Sequence, residues 1–339
     1  MPSRCPKAGA DPSDGDMSES KGSRWAAPAV IGTATLWGTT GVAAAFIPQQ
    51  NPVAIGAASV GVGGLILAAT SLKGVGDVFR TDGAGRYVLL GAVGLVLYMP
   101  LFYVSVALTG AALGTIISIG SGPLFAGILE WILDGKRVTG RWLTAVLATV
   151  AGAGLLLSAR TPVGMGAGGG SNGLLPGVVA GLVAGVTYAL YAFSIGRLIR
   201  PAASRPQGLA HGAVVASIQG TASLPMLALL GLTGEHTFTV PVWPILLYLA
   251  VIPTALGHRL FAYGLGRMKA STATLYTVLE PVVATVLAVL LLGEGFSPMG
   301  WIGFPLVIAG LILVTIPAPR DRAAPSTESQ AQRETEAVP

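Results

Sequence analysis

The stretch LYTVLEPVVATVLAVLLLGE, Leu275 to Glu294, is apolar except for a Glu-Pro pair, Glu280 and Pro281, near its start. A carboxylate in apolar surroundings must be paired or neutralised. Inside a bilayer it is costly enough to be a functional candidate by default. The solvent around this segment therefore decides both the fold and the place to look for function.

Composition settles the solvent. The 339 residues are 52% hydrophobic and 10% charged, against about 25% charged in an average soluble domain, too few to build a polar surface. The chain reads as an all-α integral membrane protein. Its net charge of +5 comes from bases scattered between apolar runs, so no nucleic-acid partner is expected. The single cysteine, Cys5, excludes an intrachain disulfide.

Residues 1–24 and 317–339 are polar and rich in Pro, Ser and charge, and are expected to be disordered cytoplasmic tails, with Met17 a second candidate start. Between them lie ten apolar segments, at 26–47, 53–72, 87–108, 112–133, 141–159, 174–196, 209–231, 243–266, 271–292 and 299–316. Each is long enough to cross a hydrocarbon core of roughly 30 Å at about 1.5 Å per residue. The first is too long for a cleavable signal and follows a polar tail, so it stays as a helix.

The basic residues test that count. With a cytoplasmic amino terminus, eighteen of the twenty Lys and Arg fall on the inside, Arg160 falls outside and Arg259 lies within the eighth segment. Such asymmetry is the positive-inside signature of ten crossings with both termini cytoplasmic, and a miscount by one helix would have scrambled it.

An internal repeat appears at an offset of 158 residues. Tyr103 to Leu129 lies over Phe261 to Leu287 without a gap, Pro123 falls on Pro281, Gly135 on Gly293, and Val150 to Gly152 on Ile308 to Gly310. Five helices is an odd number, so the copies enter the membrane in opposite senses, as in alternating-access transporters. The halves are 25–160 and 174–316, joined by the Gly-rich linker 161–173.

The sequence also resembles the EamA family of the drug/metabolite transporter superfamily. The resemblance is carried by LWG at Leu36 to Gly38, ALTGAA in the third segment, SGP at Ser121 to Pro123, and LEPVVATVLAVLLLGE followed by WIGFPLVIAGLILV. It implies two inverted five-helix halves moving small metabolites, amino acids or drugs, often outward. One departure is LDGKRV in the first half against LGEGFS in the second, which places Lys136 where Glu294 has its mate.

Arg259 and Glu280 each lie nine residues from the turn joining the eighth and ninth segments, about 13 Å deep at 1.5 Å per residue. They are expected to face each other or a shared wet cavity. Two readings stand: a bridge that fixes packing, or a substrate-binding or coupling pair. Tyr263 and Tyr276 share helical faces with them at i,i+4. Trp37, Tyr98, Tyr103, Tyr188 and Tyr191 would suit an aromatic cavity lining, although each taken singly reads as packing. Pro281 and Pro123 are expected to break their helices at matched positions and to mark a hinge.

Other residues carry less. His258 reads as a packing residue more than as a proton relay, Gln219 reads equally as an interhelical hydrogen-bonding group or a ligand contact, and Glu130 has no assigned role. Asp77 in GVGD lacks the second intramembrane Asp of a protease dyad. No Cys/His cluster suggests a metal, GAGGGSNG lacks the lysine of a phosphate loop, and no cofactor is expected. The reading is a secondary transporter of a bacterial cytoplasmic membrane, exporting small polar or amphipathic metabolites such as amino acids. Its partners would be the lipid bilayer, the substrate and a coupling proton or exchanged solute. The alternative is a membrane-embedded enzyme acting on lipid or isoprenoid groups.

Overall fold

The computed structural model describes residues 24–109, 111–135, 138–161, 174–201, 208–233, 242–293 and 295–315. Residues 1–23, 162–173 and 316–339, with Lys136 and Glu294, lie outside the described residues. The helices are α1 Ala26–Ala45, α2 Pro52–Ala69, α3 Leu72–Arg80, α4 Ala84–Thr109, α5 Ala111–Asp134, α6 Gly140–Ser158, α7 Leu174–Ile199, α8 His211–Leu232, α9 Trp243–Leu249, α10 Gly257–Leu265, α11 Ala270–Thr277, α12 Glu280–Leu292 and α13 Gly300–Thr315. A π-helical stretch, Ala250–Leu256, joins α9 to α10. Two residues, Arg160–Thr161, pair antiparallel with Gly295–Phe296 and tie the end of α6 to the turn before α13.

Among the described residues eight helical stretches are long and apolar enough to cross a membrane, with α9 to α10 and α11 to α12 each counted as one stretch. The protein is therefore multi-pass. α13 is apolar but shorter. α1 is less apolar because its 20 residues carry four threonines and three glycines, of which Thr33 and Gly38 are buried against other helices.

One element was not anticipated. α3 lies where a cytoplasmic loop was expected, packs against α8 and buries Val78 while leaving Leu72 and Phe79 exposed beside Lys73 and Arg80. An amphipathic helix of this kind suits the membrane interface.

The packing has a regular order. α4 and α5 pack on α7, while α10, α11 and α12 pack on α1; α4 also touches α8, as the π-helical stretch touches α2. The pairs α2–α8, α5–α11 and α6–α13 complete the join. Small residues permit the closest approaches, because helix association in lipid relies on van der Waals contact and lacks a hydrophobic driving force. A Cβ on Gly152 of α6 would lie 2.7 Å from the Gly303 carbonyl oxygen and 2.7 Å from the Val307 nitrogen of α13. Reciprocally, one on Gly310 of α13 would lie 2.7 Å from the Ala145 carbonyl oxygen and 3.0 Å from the Thr149 nitrogen. Gly135 and Gly293, also 158 apart, both adopt φ +66° as their helices end.

Backbone on both sides leaves Gly152 no room to yield. Gly152→Val is expected to lower unfolding stability in detergent by about 1–3 kcal/mol or more through overpacking. Gly41→Ala, with nothing within 4 Å of the added atom, should leave thermal unfolding unchanged or slightly raise it. Equal stability of Gly152→Val and the parent protein would refute the tight α6–α13 seam.

Candidate functional site

Two interrupted helices meet beside α1. The α11–α12 span stops at Thr277 and restarts at Glu280, with Pro281 in the first turn of α12. Pro281 lacks the N–H that would bond Thr277. Threonines take up neighbouring carbonyls: Thr277 Oγ1 donates to Thr274 O at 2.7 Å and Thr285 Oγ1 to Pro281 O at 2.7 Å. In the other interrupted span Pro253 sits inside the π-helical stretch. Its carbonyl accepts from Trp37 Nε1 at 3.0 Å, and Gly257 O accepts from Thr33 Oγ1 at 3.0 Å.

Pro123, expected to break its helix as Pro281 does, lies inside an unbroken α5. The repeat places Ile116 and Ile119 where the other half has Thr274 and Thr277. α5 nevertheless runs through Pro123 without interruption, giving up only the hydrogen bond that its missing N–H would have made to Ile119.

Trp37 and Gly38 hold both interruptions. A Cβ on Gly38 would fall 2.9 Å from the Glu280 carbonyl oxygen and 2.7 Å from Val283 Cβ. The start of α12 thus rests on the α1 backbone. Trp37 packs its ring 4.9 Å from His258, 5.4 Å from Phe261 and 6.3 Å from Tyr188. The wall continues from Tyr188 to Tyr98 at 5.5 Å, to Phe102 at 6.0 Å and to Tyr103 at 5.3 Å. Tyr188 OH and Thr277 Oγ1 are 3.0 Å apart across the α7–α11 contact.

The Glu280 carboxylate is half-buried and is an electrostatic neighbour of the Tyr98, Tyr103 and Tyr188 hydroxyls. Among the described residues it has no ion pair or side-chain hydrogen bond. A carboxylate with aromatic faces and hydroxyls around it can receive an ammonium group by charge attraction and cation–π contact. Of the residues expected at the site, the structure brings together Glu280, Trp37, Tyr103, Tyr188 and Pro281, with Tyr98 alongside.

It places the others elsewhere. Arg259 does not meet Glu280: its Nη2 donates to Thr70 Oγ1 at 2.6 Å and Ser71 Oγ at 3.5 Å, at the end of α2. Equal depth from a shared turn does not fix azimuth, and the long guanidinium stem reaches to the polar end of α2. Tyr263 lies under the Arg267 guanidinium at 3.7 Å and near His211 at 5.7 Å. Tyr276 is buried in α11, and the interruption after Thr277 cancels the i,i+4 register expected to align it with Glu280. His258 Nδ1 lies 2.8 Å from Thr254 O, and Gln219 Nε2 donates to Tyr191 OH at 3.4 Å, both as packing groups. Phe261 and Pro253 were missed; Pro253 in mid-segment was the available signal.

Glu130 has a partner set that its sequence position did not disclose. It is 2% exposed and accepts from Ala270 N at 2.7 Å and from Ser271 Oγ, so a carboxylate of α5 caps α11. Nearby, Arg197 Nη1 donates to Asp134 Oδ1 at 2.9 Å and Arg200 donates to Leu265 O and Met268 O. Burial lowers the Arg200 pKa, opposed by Glu130 and Asp134.

A double-mutant cycle separates these arrangements. Arg259→Gln and Glu280→Gln should be additive in unfolding free energy within about 0.5 kcal/mol. Arg259→Gln and Thr70→Val should couple by about 0.5–1.5 kcal/mol, the worth of a hydrogen bond. Strong coupling between Arg259 and Glu280 would restore the pair.

The profile of the EamA-like transporter family matches this chain twice, over residues 24–158 and 175–316. A Bacillus subtilis (strain 168) protein named as the transporter YwfM is 33% identical over 294 residues, 86% of this chain and 93% of that one. A protein of Streptantibioticus cattleyicolor named "Probable terminal-alkyne amino-acid exporter" is 27% identical over 226 residues, 67% of this chain and 71% of that one. A solved crystal structure superposes with a TM-score of 0.67 at 21% identity, covering 86% of this chain and 96% of that one, a likeness of fold. Two family matches that together span most of the chain, on a multi-pass helical bundle, place this protein in the EamA-like transporter family.

Proposed function

We propose that the protein is a secondary transporter working by alternating access, exporting small amine-bearing metabolites such as amino acids across a bacterial cytoplasmic membrane. The observation that carries this reading is Glu280: an unpartnered carboxylate at the interruption of a membrane helix, walled by Trp37, Tyr98, Tyr103 and Tyr188. A substrate ammonium there would meet both charge and π faces. The Streptantibioticus relative's name supports the amino-acid class. An enzyme acting on lipid or isoprenoid groups is not favoured, since the named relatives are transporters.

In this reading the chain crosses ten times, as halves 25–160 and 174–316 of opposite orientation. Exchange of contacts supports it. Gly152 meets Gly303 and Val307, and adding or subtracting 158 turns these into Gly310 meeting Ala145 and Thr149, which is the other observed contact. An interface whose contacts map onto themselves in this way is what a two-fold relation produces. The same exchange turns α4 and α5 on α7 into α10 and α12 on α1. Rocking of one half against the other would expose Glu280 to each side in turn, and the coupling partner would be a proton or an exchanged solute.

Glu280→Gln keeps shape and hydrogen-bonding capacity while removing the charge, so it should reach the membrane at parental levels. Export from cells loaded with a metabolite panel should fall at least tenfold for the transported amine. Undiminished export would reduce Glu280 to a packing residue. For orientation, a reporter fused after residue 316 should read cytoplasmic and one inserted in the linker 161–173 external; the reverse would overturn the ten-crossing topology.

A further inference from the structure

We propose that the cavity between α5, α6, α11 and α13, remote from Glu280, is a binding site for a phosphate-bearing anion such as the headgroup of an anionic phospholipid. Its volume is about 340 Å³, and its lining includes Glu130, Thr139, Arg141, Trp142, Lys269 and Ser271. Arg141 and Lys269 have no ion pair or side-chain hydrogen bond among the described residues. Trp142 Nε1 is buried without a hydrogen-bond partner among the described residues. Two cations and an orphaned N–H donor around one concavity ask for an acceptor-rich anion.

Other features fit that ligand. Thr139 caps α6 by accepting from Trp142 N at 3.3 Å, so the positive end of α6 opens at the same place. Glu130 keeps its negative charge, but both its oxygens are turned to α11, accepting from Ala270 N and Ser271 Oγ, and the two cations of the lining outnumber it. Val314 of α13 also lines the cavity. The adjoining outer faces of α6 and α13 expose Leu143, Leu147, Ile308 and Ile312, an apolar track on which acyl chains would lie. Since Arg141 belongs to the first family match and Lys269 to the second, one headgroup would hold the two halves together at this end. Assigning this end to the cytoplasmic leaflet rests on the orientation proposed above, whereas the anion chemistry does not.

Purified full-length protein in neutral detergent is titrated with phosphatidylglycerol, phosphatidylcholine or inorganic phosphate, and lipid retention by native mass spectrometry and thermal unfolding are followed. Phosphatidylglycerol should be retained and raise Tm, and phosphatidylcholine should do so far less. Each basic residue near an anionic headgroup contributes roughly a factor of five. Arg141→Gln/Lys269→Gln should therefore bind about twenty-five-fold more weakly, while Arg80→Gln, an exposed base near Asp77, should bind as the parent does. If the double variant fails to fold, Lys269→Gln alone should show about a fivefold loss. Stabilisation by phosphate alone that these variants abolish would identify a soluble anion as the occupant of the same site. Equal binding of phosphatidylglycerol by parent and variants, or no preference over phosphatidylcholine, overturns the proposal. Because none of these readings measures transport or topology, their failure leaves the function of Glu280 standing.

Discussion

Backbone satisfaction in a medium without water is the constraint from which the rest follows. A helix inside lipid satisfies itself, and an interrupted one survives only where other groups take up the freed carbonyls. In this bundle side chains bond carbonyls flanking two neighbouring interruptions. Trp37 and Thr33 of α1 donate to Pro253 O and Gly257 O, and threonines within α11 and α12 bond the carbonyls around Pro281. α1 thus bonds one interrupted span through Trp37 and Thr33 and meets the other by close contact, with Gly38 against the Glu280 carbonyl, so a single helix positions both breaks and the carboxylate beside them.

The two halves share a plan and divide the work. Their packing partners correspond, and glycine seams such as Gly152 and Gly310 recur in register. The chemistry does not correspond: Ile116, Ile119 and Gly122 stand where the second half has Thr274, Thr277 and Glu280. Gly122 instead admits the Tyr188 ring, 2.9 Å from where a Cβ would be. One half supplies the carboxylate and the broken helix, the other an unbroken helix and room for an aromatic wall.

A second set of polar contacts lies at the far end of α5. Glu130 fixes the start of α11, Asp134 takes Arg197, and Arg200 takes the carbonyls at the end of α10 and the turn beyond it. These hold α5, α7 and α11 together at the end away from the interruption at Glu280. Hydrogen bonds with a charged partner are shorter and stronger than neutral ones, so this end is held by few but strong contacts.

The sequence by itself determined that the chain is an all-helical membrane protein, where its apolar segments lie, and that Glu280 is the carboxylate to explain. Those conclusions follow from composition, length and hydropathy, which the bilayer enforces segment by segment. Trp37, Tyr103 and Tyr188 were also legible as aromatic candidates, though only as types. The tertiary structure alone decided azimuth and reach: that Arg259 goes to Thr70, that Tyr263 goes to Arg267, and that Glu130 caps α11. It also decided that Pro281 interrupts a helix while Pro123 does not. A proline removes the same hydrogen bond wherever it stands, but whether the helix then breaks depends on how that stretch packs against its neighbours, which a local sequence does not contain.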